Sequence, residues 1–193
     1  MTDIAKQEAR RIFDRILKDI QVELTDEFDQ NFERQAFFNE AWERRKSPVH
    51  GSRSGHLLVD TEALRGSIMS EVKGDSVFFH SDLPYAGIHN DGGEIIVTER
   101  MKRFFWRKYR ENFTGEGTGK KGWGRGSKKA MEPEEAFWYH MAMKKVGTTV
   151  RIPRRRFIGV NGEVEKIIRG IVEENLMDYF ENEFKIDIKP KKL

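Results

Sequence analysis

At 193 residues the chain is long enough to bury a real core as one domain, and 37% hydrophobic against 35% charged residues predicts a large wetted or partner-covered surface. Its 35 Lys+Arg are nearly cancelled by 32 Asp+Glu, leaving +3, which argues against a uniformly basic nucleic-acid binder while leaving local patches open. The absence of cysteine excludes disulfides, thiol catalysis and Cys-based zinc sites. No apolar run approaches the roughly 20 residues of a membrane span, and the charged N-terminus lacks a signal-peptide core, so a soluble protein made in a cytoplasm is expected.

Residues 4–24 place Ala5, Ala9, Ile12, Phe13, Ile16, Leu17, Ile20 and Leu24 on a helical stripe. Thr25, followed by Asp26 and Glu27, predicts a cap and the start of a second helix, so 1–46 is expected to form a pair of N-terminal helices. That second helix would carry Phe28, Phe32, Phe37, Phe38 and Trp42, rings that fill a core or face another subunit. Residues 47–55 read as a loop and 60–65 as a short helical turn. A β-hairpin is expected from 67–72 and 77–80 around the turn at 73–76.

The sequence SDLPYAGIHNDGG at 81–93 predicts a turn of helix between strands. Pro84 fixes the entry, Tyr85, Ile88 and His89 share one face, and Asn90, Asp91, Gly92 and Gly93 close the C-terminus. Tyr85 and Ile88 are expected to pack this turn onto the sheet. A strand at 94–98 and a helix at 99–112 follow. Residues 113–130 have the composition of an insertion, with six glycines between 113 and 129 and a lone Trp123 suited to anchoring on a partner, and are expected to be a flexible loop. A helix from Pro133 to about Val146, a strand at 148–152 and a long final helix at 161–182 complete the chain before a basic tail.

The glycine-rich stretch fails the phosphate-loop pattern, since Lys121 follows Gly119-Lys120 and no strand leads in. The histidines (His50, His56, His80, His89, His140) include no HxxxH or HExxH spacing, and His89 with Asp91 lacks a nucleophile or metal pattern, so a hydrogen-bonded structural histidine is the simpler reading. No enzyme class, cofactor, metal or small-molecule substrate emerges. Arg151, Arg154, Arg155 and Arg156 form a dense basic cluster that either faces DNA phosphates or an acidic partner, or pairs with acids of the chain itself. In an extended segment Arg155 would share a face with Pro153 and Phe157; burial of Phe157 would turn that face inward, with Arg155 either ion-paired beneath the surface or carried to its edge, and leave Arg154 and Arg156 outward.

Two segments, Tyr85-Ala86-Gly87-Ile88-His89-Asn90-Asp91-Gly92-Gly93 and Ile152-Pro153-Arg154-Arg155-Arg156-Phe157-Ile158-Gly159, carry a family resemblance. The chain resembles the tailed-phage virion morphogenesis proteins, the Mu-type and P2-type tail-completion group. Phe32, Phe37 and Trp42, and the run from Leu58 to Ile68, match in order, although Glu62 stands where the family usually has Gly and Arg155 where many have another polar residue. The resemblance implies a single α+β domain over 1–193, a small antiparallel sheet packed by long N- and C-terminal helices. It implies a structural, non-enzymatic role in tail completion and head–tail joining, as a homo-oligomeric ring in the virion that meets head connector and tail proteins and touches DNA in passing, with no membrane partner. The motif residues Tyr85, Ala86, Ile88, His89, Asn90, Gly92, Gly93, Ile152, Pro153, Arg154, Arg156, Phe157 and Gly159 would then serve structure and assembly, with Trp123, Arg151 and Arg155 at an interface. The alternative is a DNA-binding or packaging accessory that uses the Arg151–Arg156 cluster.

Overall fold

The computed structural model describes residues 3–45, 56–113 and 131–183. The expected loop at 47–55, nearly all of the 113–130 insertion with Trp123, and the tail from 184 lie outside these residues.

The fold is α+β, as expected. Helix α1 spans Asp3–Arg34 and helix α5 spans Gly162–Asp178. They run antiparallel: Asn175 Nδ2 donates to Asp19 Oδ2 at 2.9 Å, and Arg15 pairs with Asp178 at 3.2 Å. The sheet is realised as three separate two-stranded antiparallel ladders rather than one surface. They are β1 (Ala36–Phe37) with β2 (Glu40–Ala41), β3 (Ile68–Lys73) with β4 (Ser76–Ser81), and β5 (Gly93–Ile96) with β6 (Thr149–Ile152).

The expected break at Thr25 does not occur, and α1 is continuous. The Thr25 hydroxyl donates back to the Gln21 carbonyl at 2.6 Å and meets Ser70 Oγ at 2.9 Å, so it serves helix packing instead of a cap. Around it Ile20, Leu24, Phe28 and Phe32 stay buried in an unbroken phase, and burial of that stripe outweighs the local capping preference. The helix stops at Gln35, whose φ of 54° is left-handed. Phe37 and Phe38, expected on a helix, therefore lie in the β1–β2 hairpin, with Trp42 just beyond it. At the other end Ala5, Ala9 and Phe13 are exposed.

The β3–β4 hairpin has the register Lys73↔Ser76 and lies against α1, where Gln21 Nε2 donates to the Ser70 carbonyl at 2.9 Å. Alternation turns Val77 and Phe79 inward and leaves Phe78 49% exposed. The main core joins Ile12, Ile16, Ile20, Leu24, Phe28 and Phe37 of the N-terminal part to Val164 of α5. A second cluster holds Phe32, Trp42, Leu64, Ala86 and Phe157. Helix α5 opens on Asn161, whose Oδ1 accepts from the amides of Glu163 (3.1 Å) and Val164 (3.0 Å). Asn175 occupies a buried place on its inner face, which leaves its neighbour Leu176 39% exposed, and a π-helical turn at Tyr179–Glu183 follows, where Phe180 is 60% exposed.

Between β5 and β6 the chain makes an arm of two helices, α3 (Glu99–Phe113) and α4 (Pro133–Met143). Their rings interlock: Phe105 with Trp138 at 5.8 Å, Trp106 with Tyr139 at 6.1 Å, Tyr109 with Tyr139 at 5.6 Å. The β5–β6 ladder is the stem of this arm, and Val97, 2% exposed, plugs its base. Helix α4 ends at Met143, three residues before the expected Val146, because Lys144 turns to ψ 140°.

Candidate functional site: two motifs docked on one another

Helix α2 (Ala86–Asp91) is the short turn at the centre of the first motif. It is begun by the Ala86 amide donating to the Leu83 carbonyl at 2.9 Å and ended by Gly92 at φ 72°. Only glycine fits there on two counts: the left-handed backbone, and an added Cβ that would stand 2.8 Å from the Arg154 amide nitrogen. Gly93 then opens β5 opposite Ile152, so the two motifs begin as one ladder.

Beyond Ile152 the second motif leaves regular structure, and its backbone is satisfied by partners from elsewhere, side chains for the most part. The Arg155 amide donates to the His89 carbonyl at 2.8 Å. Asn90 Oδ1 accepts both the Phe157 amide (2.9 Å) and the Ile158 amide (3.0 Å). From the N-terminal part, Asn31 Nδ2 donates to the Phe157 carbonyl at 3.2 Å, and Trp42 Nε1 donates to the Arg156 carbonyl at 2.7 Å. Asn31 is itself fully buried, its Oδ1 accepting the Phe38 amide at 2.8 Å, so one amide ties α1, the first hairpin and the second motif together. Irregular backbone survives burial only when its polar groups are paired this way. Phe157, 1% exposed, fills the space beneath, 5.2 Å from Phe32, a burial worth about 1.5–3 kcal/mol.

The arginines divide differently from the extended-strand expectation. Arg155 is buried at 8% exposure, as expected of its inward face, and its Nε donates to the Glu43 carbonyl at 3.2 Å. Burial, and then the charge of Arg45, depress its pKa below the ordinary arginine value, while the charge of Glu43 opposes that. Arg155 thus lies inside the subunit. Arg156, expected outward, is packed: its guanidinium lies 5.4 Å over the Phe37 ring and donates to the Val160 carbonyl at 3.1 Å. A Cβ at Gly159 would come within 2.9 Å of Arg156 Cδ, so that glycine makes room for the stem of the side chain. Arg151 and Arg154 are exposed, and Pro153 is half-buried.

Tyr85 departs from expectation too. It is 41% exposed, standing 6.1 Å edge-on from His89, and Ala86 supplies the buried contact of α2 instead. Ile88 is half-buried, its Cδ1 lying 2.7 Å from where a Gly93 Cβ would be. His89 Nδ1 is buried without a hydrogen-bond partner, and burial first, then the Arg155 charge, push its pKa below the usual histidine value. A cavity of about 330 Å³ separates His89 and Arg155 on the body from Phe104, Phe105 and Trp138 on the arm.

Sequence reasoning missed Asn31 and the Trp42 indole as the partners of the second motif. The available signal was a polar amide standing beside Phe32 inside an otherwise apolar helical phase. Among the described residues no helix is long and apolar enough to cross a membrane. No curated protein and no solved structure gives a significant match. The family model described as the phage virion morphogenesis family matches residues 2–177, which include both motifs and the α1 residues that hold them together, and the chain belongs to that family.

Proposed function

We propose that this protein is a tail-completion subunit that joins heads to tails as part of an oligomeric ring at the head–tail junction of a tailed phage. Family membership supports a structural role in virion assembly. The observation that carries the finer reading is the use of the motif residues: Asn90, Gly92, Phe157 and their partners build a junction inside the subunit, as suits motifs that serve the fold of an assembly part. Elsewhere on the surface large apolar side chains stand exposed, among them Ile96 (61%) on β5 and Met177 (61%) and Phe180 (60%) near the end of α5, as suits a part that becomes covered by neighbours. The DNA-accessory alternative finds less support in the Arg151–Arg156 cluster, since Arg155 and Arg156 are committed internally and only Arg151 and Arg154 face solvent.

Imaging of particles assembled without this protein tests the reading. Separate filled heads and finished tails are the expected products, restored to joined virions by supplying the protein. Joined virions in its absence would refute it.

A further inference from the structure

Charge is segregated along this chain. Residues 99–146 hold 13 Lys and Arg against six Asp and Glu, leaving 22 against 26 in the remainder, and residues 99–113 of α3 alone hold six against two. On α3 the positive charge is ordered. Arg100, Arg103, Arg107 and Arg110 fall within an arc of about 80° at 100° per residue and span about 15 Å of helix. All four are exposed, on the side turned away from the rings of Phe105 and Tyr109 that pack toward α4. Phe104, 41% exposed beneath the Arg107 guanidinium at 5.6 Å, adds an apolar edge to the stripe.

The body carries a surface of opposite sign. Helices α1 and α5 enclose a groove of about 450 Å³ whose walls present Asp19, Glu23, Glu174 and Asp178 with the single cation Arg15. Val22 on its rim is 63% exposed, and Met177 and Phe180 extend the apolar surface along α5. The C-terminal end of α5 adds the negative end of its helix dipole. We propose that the arginine face of α3 docks into the acidic groove between α1 and α5 of a second copy of this chain. The two surfaces match in sign, and each carries apolar side chains that a nucleic-acid backbone would leave uncovered. Because they are different faces of one molecule, the contact is head-to-tail, the kind of contact that generates a ring when the rotation between successive copies closes. The inference rests on the ring reading above and names the faces that make it. Arginine rather than lysine throughout the stripe suits paired hydrogen bonds to carboxylates.

Two charge-reversed variants test it by sedimentation velocity over a range of protein and salt concentrations, with circular dichroism to verify folding. One carries Arg100→Glu and Arg103→Glu on the arm; the other carries Glu23→Lys and Glu174→Lys in the groove. Each alone should self-associate at least about tenfold more weakly than the wild type. Mixing them in equal amounts should restore association, because alternating copies then meet opposite charges at every contact. Wild-type association should weaken as salt rises. If wild type and both variants form the same oligomer, the docking is wrong while the ring survives through another face. If the wild type stays monomeric throughout, the ring and the docking fall together. An arm-dependent shift of duplex DNA by that monomer would assign the stripe to phosphate.

Discussion

Asn90→Ala removes one oxygen and strands two backbone donors. In the folded protein Asn90 Oδ1 accepts the amides of Phe157 and Ile158, both in a partly buried place where α2 meets the second motif. A buried donor left unpaired costs about 1–3 kcal/mol, and partial access of water favours the lower half of that range, so the pair should cost about 2–4 kcal/mol. For a chain of this size that lowers the Tm by on the order of 10 °C. Urea unfolding followed by far-ultraviolet circular dichroism reads the loss as a lower midpoint at unchanged slope, and amide exchange at Phe157 and Ile158 should accelerate. Asn90→Asp keeps the acceptor but exchanges the amide that donates to Asp91 Oδ1 at 2.8 Å for a like charge, and should cost about 1 kcal/mol. An alanine variant within about 0.5 kcal/mol of wild type would refute the account. So would an aspartate variant as damaged as the alanine one, because the acceptor would then not be what matters.

Two glycines five residues apart in the same motif region should respond in opposite ways to alanine. Gly92→Ala, at φ 72° and facing the Arg154 backbone at 2.8 Å, should lose about 2 kcal/mol or more in thermal melts, whereas Gly87→Ala on α2, with nothing within 4 Å, should be neutral or gain up to about 1 kcal/mol. Glu62 sits at φ 58°, where the family pattern has glycine, so Glu62→Gly should stabilise the protein by about 0.5–1 kcal/mol; a loss would show that its side chain contributes more than its backbone costs. His89 has a folded pKa depressed below its unfolded value near 6.5. Its contribution to stability is therefore complete above pH 6.5 and is lost as pH falls through the folded pKa. The urea midpoint should fall in that window for wild type and less for His89→Gln, and equal falls in both would refute the assignment.

Local pattern alone determined a large part of this molecule. The stripe of α5, its Asn161 cap, the β3–β4 hairpin and the termination of α2 at Gly92 each depend on residues close in sequence, where periodicity and backbone restriction act directly. The collinear motifs likewise pointed to the family that residues 2–177 match. Tertiary structure decided what long-range contacts decide. Thr25 reads as a cap in sequence, yet the continuous burial of Leu24, Phe28 and Phe32 carried the helix through it. Asn31 and Trp42 acquired their roles from carbonyls more than a hundred residues away, which no local spacing encodes. The arginine run shows the limit most clearly. Alternation along an extended strand placed Arg155 inward correctly, but the chain is irregular there, and hydrogen bonds from Asn90, Asn31 and Trp42 set its course. Arg156 consequently lies on Phe37 rather than in solvent, because the direction of a side chain follows the path of its backbone, and that path was fixed by partners distant in sequence.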